Sequence, residues 1–335
     1  MTDSTWADRV AAATRLSSPR QVGPVPLLYP LLEAMQVRET INDLGWTKSD
    51  VDFGRLVEIL ILNRIMAPQP LSHVGEWAGQ TVVASMFGLK PEQLYDQRFG
   101  RGLDELRDFL GRAWVAIAAG VVQREGIDLS ALHWDTTTIL LEGEYEDSEL
   151  AAYGRSSDNR YDHKLVKVGM DVTSQERIPL LYRLLNGSTA DITTSVPNLE
   201  AVFAFLRRPE CATLSIRPVV VGDCKMITPA AVATAYQHHL YYLGPWETDN
   251  VVQAVLRSVS QSELEDHELS YRPKRRSPAG QPFVPYRGVW RPFPVSYKGQ
   301  VYEDRGLVVW SAGKQRLDED KRKSHLKALL NRLAE

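Results

Sequence analysis

The sequence predicts an α+β / α/β protein: a helical N-terminal domain, then a mixed sheet in the order βββαβαβ, then an irregular β-rich insertion. Three observations predict it. Apolar residues recur at spacings of three and four up to about residue 130. From Ser130 the period changes to two, through three strand-like segments in close succession. Beyond Asn250 a helix-like stretch gives way to the Pro- and Arg-rich run SYRPKRRSPAGQPFVPYRGVWRPFPVSYKG, which has short strand-like pieces and little helical periodicity. The expected divisions are a helical domain over 1–129, a sheet core over 130–250, the insertion over 251–300, and a strand with a charged helix over 301–335.

Composition excludes several classes of protein. The 335 residues are 44% hydrophobic and 24% charged, which suits a globular chain with a sizeable core. No run of 18 apolar residues occurs, and MTDSTWADRV lacks the basic-then-apolar layout of a secretory signal, so a cytoplasmic chain without a membrane partner is expected. Cys211 and Cys224 cannot build a disulfide framework, and no CxxC or His/Cys spacing suggests zinc. Residues 272–335 carry 15 Lys and Arg against 6 Asp and Glu, a local charge of +9 in a chain of formal charge −3. Such a segment suits a polyanion, and a solvated charged surface explains it equally well.

Within the first domain, PLLYPLLEAM, DFGRLVEILILNRIM, SHVGEWAG and KPEQLYD read as short helices separated by Pro and Gly. Leu103, Leu106, Phe109, Leu110, Ala113, Trp114, Ile117, Ala118, Val121 and Val122 form one broad helical stripe that Gly126 stops. A helix-turn-helix and a bundle that only packs on its neighbour fit this pattern alike.

In the second domain Leu132, Trp134, Thr136, Thr138 and Leu140 alternate with His133, Asp135, Thr137 and Ile139, and β-branched content favours a strand. HKLVKVGMDVT alternates through Val166, Val168, Met170 and Val172, and RIPLLYRLLNG supplies a third strand ending at Gly187. Leu199, Val202, Phe203 and Leu206 then fall at helical spacing, PVVVGD is a fourth strand, Thr228 with Pro229 starts a helix, and HLYYLG is a fifth strand. RGLVVWSA returns as a strand, and a charged helix begins near Asp318. A meander joined to right-handed βαβ crossovers is the plan of the ribonuclease H-like fold, in which the first strand lies beside the fourth.

That plan gives Asp135 a reason. Asp is depleted in strands, and a buried carboxylate is costly unless paired, hydrogen-bonded or bound to a metal. Asp223 ends the fourth strand, at the kind of strand end where open α/β sheets place ligands. Two carboxylates on neighbouring strands suit Mg²⁺ or Mn²⁺ and two-metal attack on a phosphodiester. The plainer alternative is a pair of polar strand-end residues that cap loops.

WDTTTILLEGEYED, YGRSSDNRYDHKLVKVGMDV, IPLLYRLLNGSTADITTSVPN and VVVGDCKMITPAAVATAYQHHLYYLG, in this order and spacing, resemble the core of bacterial insertion-sequence transposases of the DDE type, in the IS-four-like branch that carries a β-rich insertion. PLLYPLLEAM through GRGLDELRDFL is similar to the helical domain that precedes this core in some of them. The resemblance implies Asp135 and Asp223 as the first two metal-binding acids, Mg²⁺ or Mn²⁺ as cofactor, and insertion-sequence ends and target DNA as partners in the bacterial nucleoid. It aligns Arg155, Arg160, Lys164 and Lys167 with a basic stretch near the active site, where they contact phosphates or form a solvated hairpin edge. Asn186, Gly187 and Asp191 match a further pattern, read as turn and helix-cap chemistry.

One departure stands out. The branch places its third acid in a helix with the spacing Y-x2-R-x3-E-x6-K, and no tyrosine after Asp223 fits it. Tyr302 with Arg305 comes nearest, but Val309 stands where Glu is required, and Glu303, Glu319 and Glu335 lack the flanking pattern. The expectation is an incomplete ribonuclease H-like core, truncated before the last acid and inactive or weakly active in strand cleavage and joining. Exposed apolar surface and oligomers, with itself or with an intact transposase, are then expected. Two other classes stay open: a non-catalytic DNA-binding regulator, and a small-molecule α/β enzyme, although no P-loop, GxSxG or strand-borne GxGxxG occurs.

Overall fold

The structure, a computed structural model, describes residues 19–45, 50–155, 162–211, 217–223, 225–271 and 284–334. The chain forms two compact units, one of Met1–Ser130, Met170–Arg183 and Ala204–Ile216, the other of Ala131–Gly169, Leu184–Phe203 and Arg217–Glu335.

The first unit is mainly helical: α1 (Val25–Ala34), α2 (Val37–Leu44), α3 (Phe53–Met66), α4 (Leu71–Gln80), α5 (Val83–Met86), α6 (Asp96–Arg107) and α7 (Leu110–Glu125). α3 starts where Asp52 accepts a hydrogen bond from the Arg55 N–H at 3.0 Å, an N-cap that satisfies one orphan donor. The same carboxylate takes the Arg38 guanidinium at 2.7 Å, which ties α2 to α3. Leu56, Ile59, Leu62, Val74, Phe99 and Phe109 are among the buried apolar residues between these helices. KPEQLYD forms a single 3-10 turn, Pro91–Gln93, in place of the expected helix.

The stripe expected as one helix from Leu103 to Val122 is two, because the backbone leaves helical geometry at Phe109, with φ −132° and ψ 3°. The break lets the Phe109 ring meet Phe53 edge-on, with centroids 6.1 Å apart, while Leu106 stays buried on the preceding helix. α7 ends as expected at Gly126, whose φ of +62° is cheap for glycine.

The second unit is built on a mixed sheet of β1 (Ala131–Leu140), β2 (Ala152–Tyr153), β3 (Lys164–Thr173), β4 (Pro179–Asn186), β5 (Val219–Val221) and β6 (Tyr241–Leu243). The far ends of β3 and β4 are counted with the helical unit. The strand order is β2-β3-β1-β5-β6, with β4 also pairing β3. Leaving out the two-residue β2, the path β4-β3-β1-β5-β6 places the first long strand beside the fourth, which is the ribonuclease H-like plan. β1 runs parallel to β5, and β5 parallel to β6. The crossovers carry α8 (Ser195–Leu206) and α9 (Pro229–Gln237), and Thr228 caps α9 by accepting from the Ala231 N–H at 3.1 Å.

In β3 the set Leu165, Lys167, Gly169, Asp171 and Thr173 is buried, and Val166, Val168, Met170 and Val172 are half-buried. Part of the cause is Gly169, where a Cβ would come within 2.1 Å of the Trp134 indole, so the strand accepts that ring only without a side chain.

Beyond the sheet lie α10 (Asn250–Arg257), α11 (Gln261–Glu265), the antiparallel pair β7 (Arg287–Pro292) and β10 (Arg305–Trp310), and the hairpin of β8 (Val295–Tyr297) and β9 (Gln300–Tyr302). Lys298 and Gly299 turn that hairpin, both with positive φ, the geometry a two-residue loop demands. The final helix, α12, spans Ala312–Ala334 and so starts six residues before Asp318. Ser311 supplies the earlier start by accepting from the Lys314 N–H at 3.2 Å. Among the described residues no helix is long and apolar enough to cross a membrane.

Candidate functional site

β1 turns Leu132 and Trp134 inward and His133 and Asp135 outward, as its two-residue period requires. Asp135 is therefore exposed, which corrects the expectation of a buried carboxylate: the residue follows the solvent face of its strand and incurs no burial cost. The parallel register pairs Ala131 with Val219, Leu132 with Val220 and His133 with Val221. Carried two residues further, it sets Asp223 level with Asp135. Gly222 keeps this strand end close to its neighbour, its N–H donating to the Leu243 carbonyl at 3.0 Å.

Each acid is braced by one backbone N–H. Thr136 N donates to Asp135 Oδ1 at 2.7 Å, and Lys225 N donates to Asp223 Oδ1 at 3.0 Å. Two exposed carboxylates are hard oxygen donors, the set preferred by a divalent cation that draws its remaining ligands from water and phosphate. Both acids are donors of that class, and among the described residues no group of three His, Cys, Asp or Glu is assembled that could hold an ion.

Beside Asp223 lies a network that the sequence did not reveal, and it reaches β1 at Thr136, on the strand face opposite Asp135. Asp191 Oδ1 accepts from Lys167 Nζ at 2.9 Å and Thr136 Oγ1 at 3.1 Å, and its Oδ2 accepts from Lys225 Nζ at 3.0 Å. Lys167 Nζ also donates to the Thr189 carbonyl at 2.6 Å. Burial pushes the Asp191 carboxyl up, but the two ammonium groups outweigh it and hold the group below its usual value. Asp191 in turn raises Lys225, with a smaller contribution from Asp223 and an opposing one from Arg155.

The loop that delivers Asp191 explains the Asn186, Gly187 and Asp191 pattern. Asn186 Nδ2 donates to the Glu149 carbonyl at 2.6 Å, and its Oδ1 accepts from Ser188 N at 2.8 Å. A Cβ on Gly187 would stand 2.1 Å from the Leu165 carbonyl oxygen and 2.5 Å from that of Ala152, so only glycine lets the loop lie this close to β2 and β3. The side chain of Asp191 is thus an ion-pair centre, where turn and cap chemistry was expected.

The four basic residues part company. Arg155 is exposed, and Arg160 lies outside the described residues. Lys164 donates to the backbone carbonyl of Glu144. Lys167, 9% exposed in its side chain, is turned inward and committed to Asp191 and Thr189. Sequence reasoning missed Lys225 and gave Asp191 a turn and cap role in place of its ion pairs. The available signals were a Lys two residues past a strand-end Asp, and an Asp following a glycine that only close packing requires.

A separate apolar cavity of about 880 Å³ lies against β6, lined by residues that include Tyr242, Trp246, Leu256, Trp290, Phe293 and Leu307. Neither Asp135 nor Asp223 belongs to its lining.

No protein-family model matches the chain, and no curated protein matches it in sequence. Among solved structures, the Mos1 transposase paired-end complex with the left transposon end is similar at 14% identity, over 72% of this chain and 73% of that one, with a TM-score of 0.25. The catalytic domain of Mos1 mariner transposase is similar at 12% identity over 47% and 76%, with a TM-score of 0.25. The Drosophila P element transposase strand transfer complex is similar at 10% identity over 73% and 52%, with a TM-score of 0.26. At these scores the likenesses say nothing about the site, and the fold assignment rests on the strand order of this chain itself.

Proposed function

We propose that this chain is a DNA transposase of the DDE type, related to the IS-four-like bacterial group, whose substrate is the phosphodiester backbone at insertion-sequence ends. The observation that supports the reading is the β1/β5 register, which, carried two residues beyond the paired positions, sets Asp135, midway along β1, level with Asp223 just past the end of β5. In the first step water oxygen bonds to phosphorus as the P–O3′ bond breaks, the proton passes to solvent and a 3′-hydroxyl is freed. In the second, that hydroxyl oxygen attacks a target phosphodiester and displaces its 3′-oxygen, so one ester bond replaces another. Mg²⁺ or Mn²⁺, when held by Asp135 and Asp223, supplies charge stabilisation and activation of the attacking oxygen. Arg155, exposed near Lys225, is a phosphate contact in this reading, as are Arg160 and Lys164 by resemblance.

With no group of three acids assembled among the described residues, cleavage by this chain alone is expected to be weak, because loss of one member of a catalytic unit removes most of its rate. The same observation favours the second reading, a non-catalytic DNA-binding regulator of transposition that forms oligomers with itself or with an intact transposase. Exposed Tyr241, Leu243 and Trp290 support an oligomer. Both readings place the protein on DNA in the bacterial cytoplasm.

The deciding experiment is Mn²⁺ binding by calorimetry together with cleavage of DNA bearing the element's ends, using the chain and its Asp135→Ala and Asp223→Ala variants. The transposase reading expects Mn²⁺ binding that either substitution abolishes, with any cleavage lost in parallel. Unchanged Mn²⁺ binding in both variants removes the acid pair from the site. DNA affinity that survives both substitutions and chelation, without cleavage, selects the regulator.

A further inference from the structure

We infer that Lys225 is the cation that holds a DNA phosphate beside Asp223, and that Asp191 is the positioning residue that stations it there until DNA binds. The inference rests on the reading of the acid pair as a phosphodiester site. Lys225 and Asp223 belong to one turn, since the N–H of the first donates to the carboxylate of the second. The side chain of Lys225 is 47% exposed, so solvent and ligand reach its ammonium.

The division of labour at Asp191 separates the two lysines. Oδ1 receives Lys167 and Thr136, and among the described residues Oδ2 receives Lys225 alone. Lys225 can therefore leave without unmaking either of the other bonds. Lys167 is 9% exposed, holds Thr189 as well, and by itself neutralises Asp191. The second ammonium is surplus to that balance, so the three groups carry a net positive charge with its accessible part next to Asp223. A Lys ammonium is a compact point charge on a flexible stem, suited to exchanging a carboxylate oxygen for a phosphate oxygen. The bidentate demands of Arg would make the exchange harder.

The test titrates a fluorescein-labelled duplex of mixed sequence with the full chain, by anisotropy over a series of salt concentrations, with thermal melts to confirm folding. Lys225→Ala is expected to weaken binding and to reduce the slope of log affinity against log salt by about one, the signature of one lost phosphate contact. Lys225→Arg is expected to restore most of the slope. Asp191→Asn, which releases Lys225, is expected to tighten binding several-fold, and the gain should vanish in the Lys225→Ala background.

An unchanged slope in Lys225→Ala overturns the inference, as does an equal gain from Asp191→Asn in both backgrounds, which would be a bulk charge effect. Should Asp191→Asn fail to fold, the comparison of Lys225→Ala with Lys225→Arg decides alone. A wild-type chain with no duplex affinity at low salt overturns the DNA reading and this inference together. A wild-type chain that binds as Lys225→Ala does overturns only the inference.

Discussion

In the helical unit Glu58 is 1% exposed on α3, and its Oε2 has no hydrogen-bond partner among the described residues. In the sheet unit the inward-facing Lys167 meets Asp191, which Thr136 and Lys225 also engage. Burial and the neighbouring negative charge of Glu39 push Glu58 up to about 7, whereas the lysines hold Asp191 down. One unit tolerates an acid by letting it take up a proton, and the other keeps its charges by pairing them. A charge that is kept at neutral pH can act on a ligand, which is why the paired cluster, and not the isolated acid, stands beside the candidate site.

The largest expected effect breaks the paired side of this contrast. Asp191→Ala leaves Lys167 facing inward without its counter-charge, and loss of one partner of a buried pair costs about 3 kcal/mol. Urea unfolding at pH 7 checks this through the midpoint. A loss below about 1 kcal/mol would show that the Thr189 carbonyl alone suffices for Lys167 and that the pairing is incidental.

What the sequence disclosed follows the same divide. Alternation located β1 and an unbroken apolar run located β5, and with them Asp135 and Asp223, because both patterns are local signals. Strand order followed from the succession of elements, which limits the topologies open to a meander with two crossovers. The Lys167–Asp191–Lys225 cluster joins residues 24 and 34 positions apart through loop packing, and no local period records that. The same reason hid the break at Phe109, where packing against Phe53 overrides a helical pattern that runs straight through. The exposure of Asp135 was legible in the alternation with Leu132 and Trp134, had the strand been assigned a solvent face.

A smaller effect, of opposite sign, tests the helical unit. Glu58 titrates at about 7 when folded and near 4.5 when unfolded. Between these values the unfolded chain has released a proton that the folded chain retains, so stability falls as pH rises through the window. Glu58→Gln removes that dependence. The variant is expected to match the wild type near pH 4 and to exceed it by about 2 kcal/mol at pH 8, read from paired denaturant curves. Parallel pH profiles for the two proteins would mean that the carboxyl finds compensation on folding.

The smallest effect sharpens the comparison inside the helical unit, where Asp52 is handled as Asp191 is in the other. Its Oδ2 takes Arg38 at 2.7 Å and its Oδ1 caps α3 through Arg55 N. Burial raises this carboxyl, the Arg38 and Arg55 hydrogen bonds outweigh burial, and the group falls to about 2. Its stabilising contribution is therefore present above the ordinary carboxylate value of 3.8 and is lost as pH drops towards 2. Asp52→Asn keeps the cap, since Asn serves that position as well as Asp, and removes the charge opposite Arg38 together with the Oδ2 acceptor of its two hydrogen bonds. The expected loss at pH 7 is about 1 kcal/mol, disappearing below pH 2, because a partly exposed pair gains less than an inward-facing one. If Asp52→Asn costs as much as Asp191→Ala, then pairing and not burial sets the energy, and the contrast between the two units reduces to which acids have a cation within reach.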